Sequence, residues 1–241
     1  MHWNGAFASM LFLNHWEFTR NATFARETVY PLVAGLVSWW SCFLQRSNSS
    51  DGALILEDWN ALDPDESGEN QPVRNPMIGM AFAKRLASFQ ITLAKALFPT
   101  QPAPPEAAEI VRYLAPFPVA SDSSPASKAV WSCWKNATIE QSGVFALYPL
   151  FPTELMGADS NETVLDVARR SVKQYTGPDT THLAHTRPVE AFPAAVRAGY
   201  SHASGSGWQP REVLEGLDKM LSVLLCCNTT MLPVASGELG C

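Results

Sequence analysis

The chain is 241 residues long, 46% apolar, and carries a formal net charge of −6. That length and composition can supply the core of one sizeable domain and exclude a disordered chain. The acidic balance argues against a phosphate backbone or an anionic lipid surface as partner, and no apolar run reaches the ~20 residues of a membrane span.

Helical periodicity dominates from the start. Trp3 to Phe18 reads as a first helix. From Pro31 the apolar positions Leu32, Val33, Leu36, Val37, Trp40, Phe43 and Leu44 form a 3.6-period stripe, which predicts a helix over 31–46. Pro31 suits the first turn, where its missing N–H has no intrahelical partner to lose. "ALILED" (53–58) predicts a small hairpin arm inside a loop. A second stripe (Ile78, Phe82, Leu86, Phe89, Leu93 and Leu97) predicts a helix over 77–98, with Asn75 as N-cap and Pro76 as first helical residue. Phe98-Pro99 should end it.

Shorter helices are predicted over 106–114 and 161–175, the latter capped by Asp159 or Ser160. A last one is predicted over 210–227, with Val213, Leu214, Leu217, Met220, Leu221, Leu224 and Leu225 inward. The segments 47–76, 115–159 and 176–209 are rich in Pro, Ser and Gly and read as long loops, a length that usually serves function. There is no alternation of strands and helices. The fold class is therefore all-α, with paired helices joined by long loops on one side, in a single domain over 1–241. Its ends, "MHWNGAFASM" and "SGELGC", read as cuts through a larger domain.

The loop 57–75 is the richest in chemistry. "EDWNALDPDESGENQPVRN" combines carboxylates with Trp59, Asn60, Asn70, Gln71 and Arg74. A sugar site uses this mixture: a ring face for the pyranose, amides for hydroxyls, and a carboxyl that keeps a proton for a leaving oxygen. The competing reading is a polar surface turn, which needs the same Pro, Gly and Asp residues for backbone reasons.

His182 and His185 have metal-like spacing but no third ligand type nearby, so neither a metal nor a cofactor is expected. His15 either caps the first helix or faces a pocket. The five cysteines show no zinc spacing. Five of the ten asparagines, Asn21, Asn48, Asn136, Asn161 and Asn228, open Asn-x-Ser/Thr sequons, which points to a eukaryotic secretory or lysosomal glycoprotein.

Several stretches together resemble glycoside hydrolase family 95, the inverting α-L-fucosidases and related α-L-galactosidases. "NHWEFTRNATFARETVYPLVAGLVSWWSCFL" is similar to its helix pair, "SGEN" (67–70) to its Ser-Pro-Glu-Asn motif, "GVFALYPLFPTELMGADSNETVLDVARRSV" to its Leu-Tyr stretch and Ala-Arg helix, and "GSGWQ" (205–209) to its Gly-Trp-Ser segment. The resemblance implies a partial (α/α)6 barrel with its active site in the loops at one end, and a carbohydrate substrate. It implies that Glu69 is the general acid, with Trp59, Asn70, Arg74 and His15 as sugar contacts. It places the partner Asp beyond the helix at 210–227 and an assisting asparagine pair upstream of Met1.

The sequence departs from the family where "KNATIEQSGVF" replaces a His-Arg-His stretch and Phe7 replaces a tryptophan. Two other readings stay open. One is a secreted carbohydrate-binding scaffold that keeps the barrel without catalysis, the other a same-fold hydrolase or phosphorylase for another sugar.

Overall fold

The structure, a computed structural model, describes residues 3–59, 61–62, 72–123, 128–176 and 188–199, together with 211, 214, 215 and 218. The chain divides into two compact units: Met1–Pro118 with Cys133–Lys135, and Val119–Ser132 with Asn136–Cys241. The described residues are mostly helical.

The first unit is built around a long central helix. Helix α1 spans Asn4–Thr19 and buries Ala6, Ser9, Met10, Leu13 and Trp16 along one stripe. It stops where Arg20 turns left-handed (φ 52°), with the Arg20 N–H on the Trp16 carbonyl. Asn21 then caps α2 (Ala22–Phe24), which runs through a wide π turn (Ala25–Val29) into α3 (Tyr30–Phe43). Pro31 does lie in the first turn of α3, but the helical run begins nine residues before it, at Ala22. A π turn just ahead of a proline lets the helix continue past a residue that cannot donate.

The helix predicted over 31–46 ends at Phe43, and Gln45–Asn48 instead form strand β1. β1 pairs antiparallel with β2 (Leu54–Glu57), Gln45 opposite Glu57 and Asn48 opposite Leu54. The predicted hairpin arm is thus present, with a polar partner strand that carries no β signal. A second antiparallel pair joins β3 (Ala61–Leu62) to β4 (Pro72–Val73), Ala61 opposite Val73 and Leu62 opposite Pro72.

Helix α4 (Met77–Leu97) is the core of this unit. Its first seven residues, Met77 to Ala83, are all buried, because the sequence offers no charge before Lys84. Farther along, Leu86, Phe89 and Leu93 keep one face inward. Phe7 and Trp16 of α1 meet Phe82 and Phe89 edge-on, and α3 and α5 (Pro105–Tyr113) also pack against α4. As predicted, α4 ends at Phe98-Pro99. Its start differs: Pro76 is the capping position and makes no side-chain cap. Asn75 is left-handed (φ 51°) and its side chain is used elsewhere.

In the second unit a 3₁₀ turn (Val144–Leu147) packs against α6 (Glu162–Thr176) and α7 (Pro188–Arg197). α6 follows the prediction, but its cap is Asn161, whose Oδ1 accepts the Thr163 N–H at 2.9 Å. Ser160 accepts instead from Gly157. α7 lies in a segment read as loop. Phe192, Ala194 and Ala195 are buried within it and Ala198 just after it, a small-residue stripe interrupted by Pro193. Trp131 ties the preceding chain to α6 by donating its N–H to Ser171 Oγ at 2.8 Å and accepting from Tyr175 Oη.

Of the helix predicted over 210–227, residues 211, 214, 215 and 218 are helical and the rest lie outside the described residues. Among the described residues no helix is long and apolar enough to cross a membrane.

Candidate functional site

β2 ends on a charged residue in an apolar strand. Glu57 follows Leu54, Ile55 and Leu56, and its side chain is fully buried. An ionised carboxylate there is costly unless both oxygens are satisfied. Ser47 Oγ of the facing strand donates to Oε2 at 2.5 Å, Trp59 Nε1 donates to the same oxygen at 3.3 Å, and Arg74 Nη2 pairs with it directly. Asn75 Nδ2 and Lys135 Nζ donate to Oε1 at 3.0 and 3.1 Å. Burial pushes the Glu57 carboxyl up, but the hydrogen bonds from Arg74, Ser47, Lys135 and Asn75 outweigh it and hold the group down at about 2. Glu57 is therefore a fixed negative charge and cannot serve as a proton donor near neutral pH.

The backbone joins the same segments. The Asn75 N–H donates to the Asp58 carbonyl at 2.7 Å, and Asn75 Oδ1 accepts the Asp58 N–H at 2.9 Å. This exchange needs the left-handed turn at residue 75, a conformation asparagine tolerates better than most residues. The Lys135 N–H bonds the Arg74 carbonyl and the Met77 N–H bonds the Cys133 carbonyl, so residues 133–135 brace the start of α4. Next to this clamp lies the β3–β4 pair, a stem between whose strands the sequence carries the acidic segment 63–71.

The clamp presents one aromatic surface. Trp59 is 42% exposed, and the Arg74 guanidinium lies over its ring at 4.2 Å from the centroid. The Arg74 and Lys135 side chains are each 40% exposed, so both cations pair inward with Glu57 and also reach solvent. An aromatic ring bordered by fixed N–H donors is suited to a neutral, hydroxyl-rich ligand.

Two of the residues singled out by sequence, Trp59 and Arg74, are thus brought together. Glu69 and Asn70 lie outside the described residues, as do His182 and His185. His15 stands apart: it is exposed on α1 with its ring edge-on to Phe24 at 4.6 Å, and its carbonyl accepts the Thr19 hydroxyl. Among the described residues no His/Cys/Asp/Glu group is arranged to hold a metal.

Sequence reasoning missed Ser47, Glu57, Asn75 and Lys135. The available signals were Glu57 itself, an acid closing an apolar strand, and Asn75, whose αL-tolerant residue type precedes a proline.

Residues 1–187 match the glycosyl hydrolase family 95 catalytic domain. No curated protein matches the chain. The matched span takes in α1 to α6, both strand pairs, the clamp around Glu57 and the loop 63–71; "GSGWQ" at 205–209 falls beyond it. The chain belongs to glycosyl hydrolase family 95 and carries its catalytic domain, a glycosidase domain whose substrate is carbohydrate.

Proposed function

We propose that this domain removes a terminal α-L-fucoside- or α-L-galactoside-like sugar by inverting acid/base hydrolysis, on an (α/α)6 barrel. The observation that carries the reading is the exposed Trp59–Arg74 surface beside the β3–β4 pair, and it is between these two strands that the sequence carries "SGEN". In this reading Glu69 gives its proton to the glycosidic oxygen as the C–O bond breaks. A water deprotonated by a second carboxylate, ~6.5–9.5 Å from the first, adds to the anomeric carbon from the opposite face.

Trp59 carries the apolar face of the sugar. Arg74 and Asn70 supply contacts to its hydroxyls. The second carboxylate is expected from the segment after 210–227.

Glu57 has the complementary task. A general acid must hold a proton at working pH, whereas Glu57 stays ionised and fixes the donors around it. Glu69→Gln in the full-length protein should lower turnover on an unactivated oligosaccharide by ~10²–10⁴-fold. It should largely spare an aryl glycoside with a good leaving group, and product NMR should show the inverted anomer. Equal turnover of Glu69→Gln and the parent on the oligosaccharide would remove Glu69 from the mechanism. Undiminished carbohydrate binding with no turnover in the full-length parent would favour a binding scaffold.

A further inference from the structure

The end of α1 carries a feature the glycosidase reading does not use. Phe18 lies in the last turn of that helix, is 89% exposed, and has no ring partner among the described residues. Three residues later comes Asn21, the exposed acceptor of Asn21-Ala22-Thr23.

The turn between them is fixed. Arg20 is left-handed, and Thr19 Oγ1 both donates to the His15 carbonyl at 2.8 Å and accepts the Asn21 N–H at 3.3 Å. Asn21 Oδ1 accepts the N–H groups of Thr23 and Phe24, each at 3.1 Å, as the cap of α2. Its other side-chain atom, Nδ2, has no partner among the described residues. The capping bonds therefore hold the amide by its oxygen and leave the nitrogen for a substituent.

We propose that Asn21 carries an N-linked glycan whose first N-acetylglucosamine packs on the Phe18 ring. In the transfer, Nδ2 of the nascent chain attacks C1 of a polyprenyl-diphosphate-linked oligosaccharide. The N–C1 bond forms, the C1–O bond to the diphosphate breaks with its electron pair leaving on the diphosphate, and Nδ2 gives up one proton. In the folded product the cap is kept, because it uses only Oδ1.

One face of a pyranose is a plane of C–H groups with slight positive polarity, which matches the negative face of an aromatic ring. With ~3.8 Å between successive Cα atoms, Phe18 lies no more than ~11 Å from Asn21, within reach of an amide side chain and one sugar. A ring three residues upstream, on an exposed helix end, is particular to this acceptor. Three residues before the exposed Asn48, Asn136 and Asn161 stand Gln45, Cys133 and Ala158, and none of these carries a ring.

The test compares the full chain with its Phe18→Ala, Thr23→Ala and double variants. All are secreted from a eukaryotic host and trimmed by an endoglycosidase to a single sugar. Peptide mass spectrometry should find N-acetylhexosamine on Asn21. The trimmed parent should melt ~2–4 °C above Thr23→Ala, which loses the acceptor sequon but keeps the Asn21 cap, the shift that a contact of this kind gives in a chain of this size. That difference should vanish in the Phe18→Ala background. If Phe18→Ala is not secreted, Phe18→Tyr should keep the difference and Phe18→Leu should lose it. An unoccupied Asn21, or the same glycan-dependent shift with and without a ring at position 18, would overturn the proposal.

Discussion

At residue 57 burial and charge act in opposite directions, and the outcome has a sign that can be measured. Removing the carboxylate from water favours its neutral form, but Arg74 and Lys135 with three neutral donors favour the anion more strongly. A group whose folded value lies near 2, against an ordinary glutamate value of 4.5, contributes stability that is fully present above 4.5 and is lost as pH falls through 2. The difference amounts to about 3 kcal/mol. Glu57→Gln should therefore cost about 3 kcal/mol at pH 7, the lower end of the range for breaking a buried pair, because both cations can turn to solvent. Urea unfolding between pH 2 and 7 checks this: the parent should lose stability steeply below pH 4.5, and the variant should show a flatter acid limb. Identical acid limbs would mean that Glu57 does not hold the clamp.

At the scale of the element, periodicity succeeded where an apolar stripe is long. α4 and α6 fall within one or two residues of their predicted spans, since each keeps its apolar stripe over four or more turns. It failed where the partner supplies the reason. β1 (Gln45–Asn48) is polar along its length and is a strand because Leu54–Glu57 faces it. α7 was hidden because its buried side is mostly alanine and contains Pro193. At the site, Trp59 and Arg74 were legible as types that suit a sugar. Glu57, Asn75 and Lys135 were not, because a contact across 78 residues leaves no mark on local pattern.

Two glycines test backbone against side-chain effects within these elements. Gly35 lies inside α3 with open space where a Cβ would stand, so Gly35→Ala should stabilise by ~0.5–1 kcal/mol. Gly52, in the β1–β2 turn, has equal space but φ +83°, so Gly52→Ala should destabilise by about 1 kcal/mol. Denaturant midpoints that move in the same direction for both would contradict this account.

For the whole molecule the useful distinction is between residues that hold the fold and residues that meet the ligand. Trp59 is a half-exposed ring that gives Glu57 one long hydrogen bond, whereas Arg74 pairs with Glu57 as an ion. Trp59→Ala, which removes one long hydrogen bond to Glu57, should lower the melting temperature by only ~2–4 °C, well short of Glu57→Gln. Carbohydrate affinity, read by calorimetry with the sugar that the full-length protein cleaves, should fall at least ~10-fold. Arg74→Ala should lower both. If Trp59→Ala destabilised the protein as much as Glu57→Gln, the ring would belong to the clamp and not to the ligand surface.

The β3–β4 stem also bears on how such a domain can diverge. Its two ends are fixed from below by side chains that the loop does not supply: Asn75 with Asp58, and Arg74 and Lys135 with Glu57. The strand ends that flank residues 63–71 therefore have a hold of their own in the helical unit. Lengthening such a closed loop twofold costs only ~0.6 kcal/mol. If the segment between β3 and β4 meets the sugar as proposed, insertions there change preference while the clamp at its ends is kept.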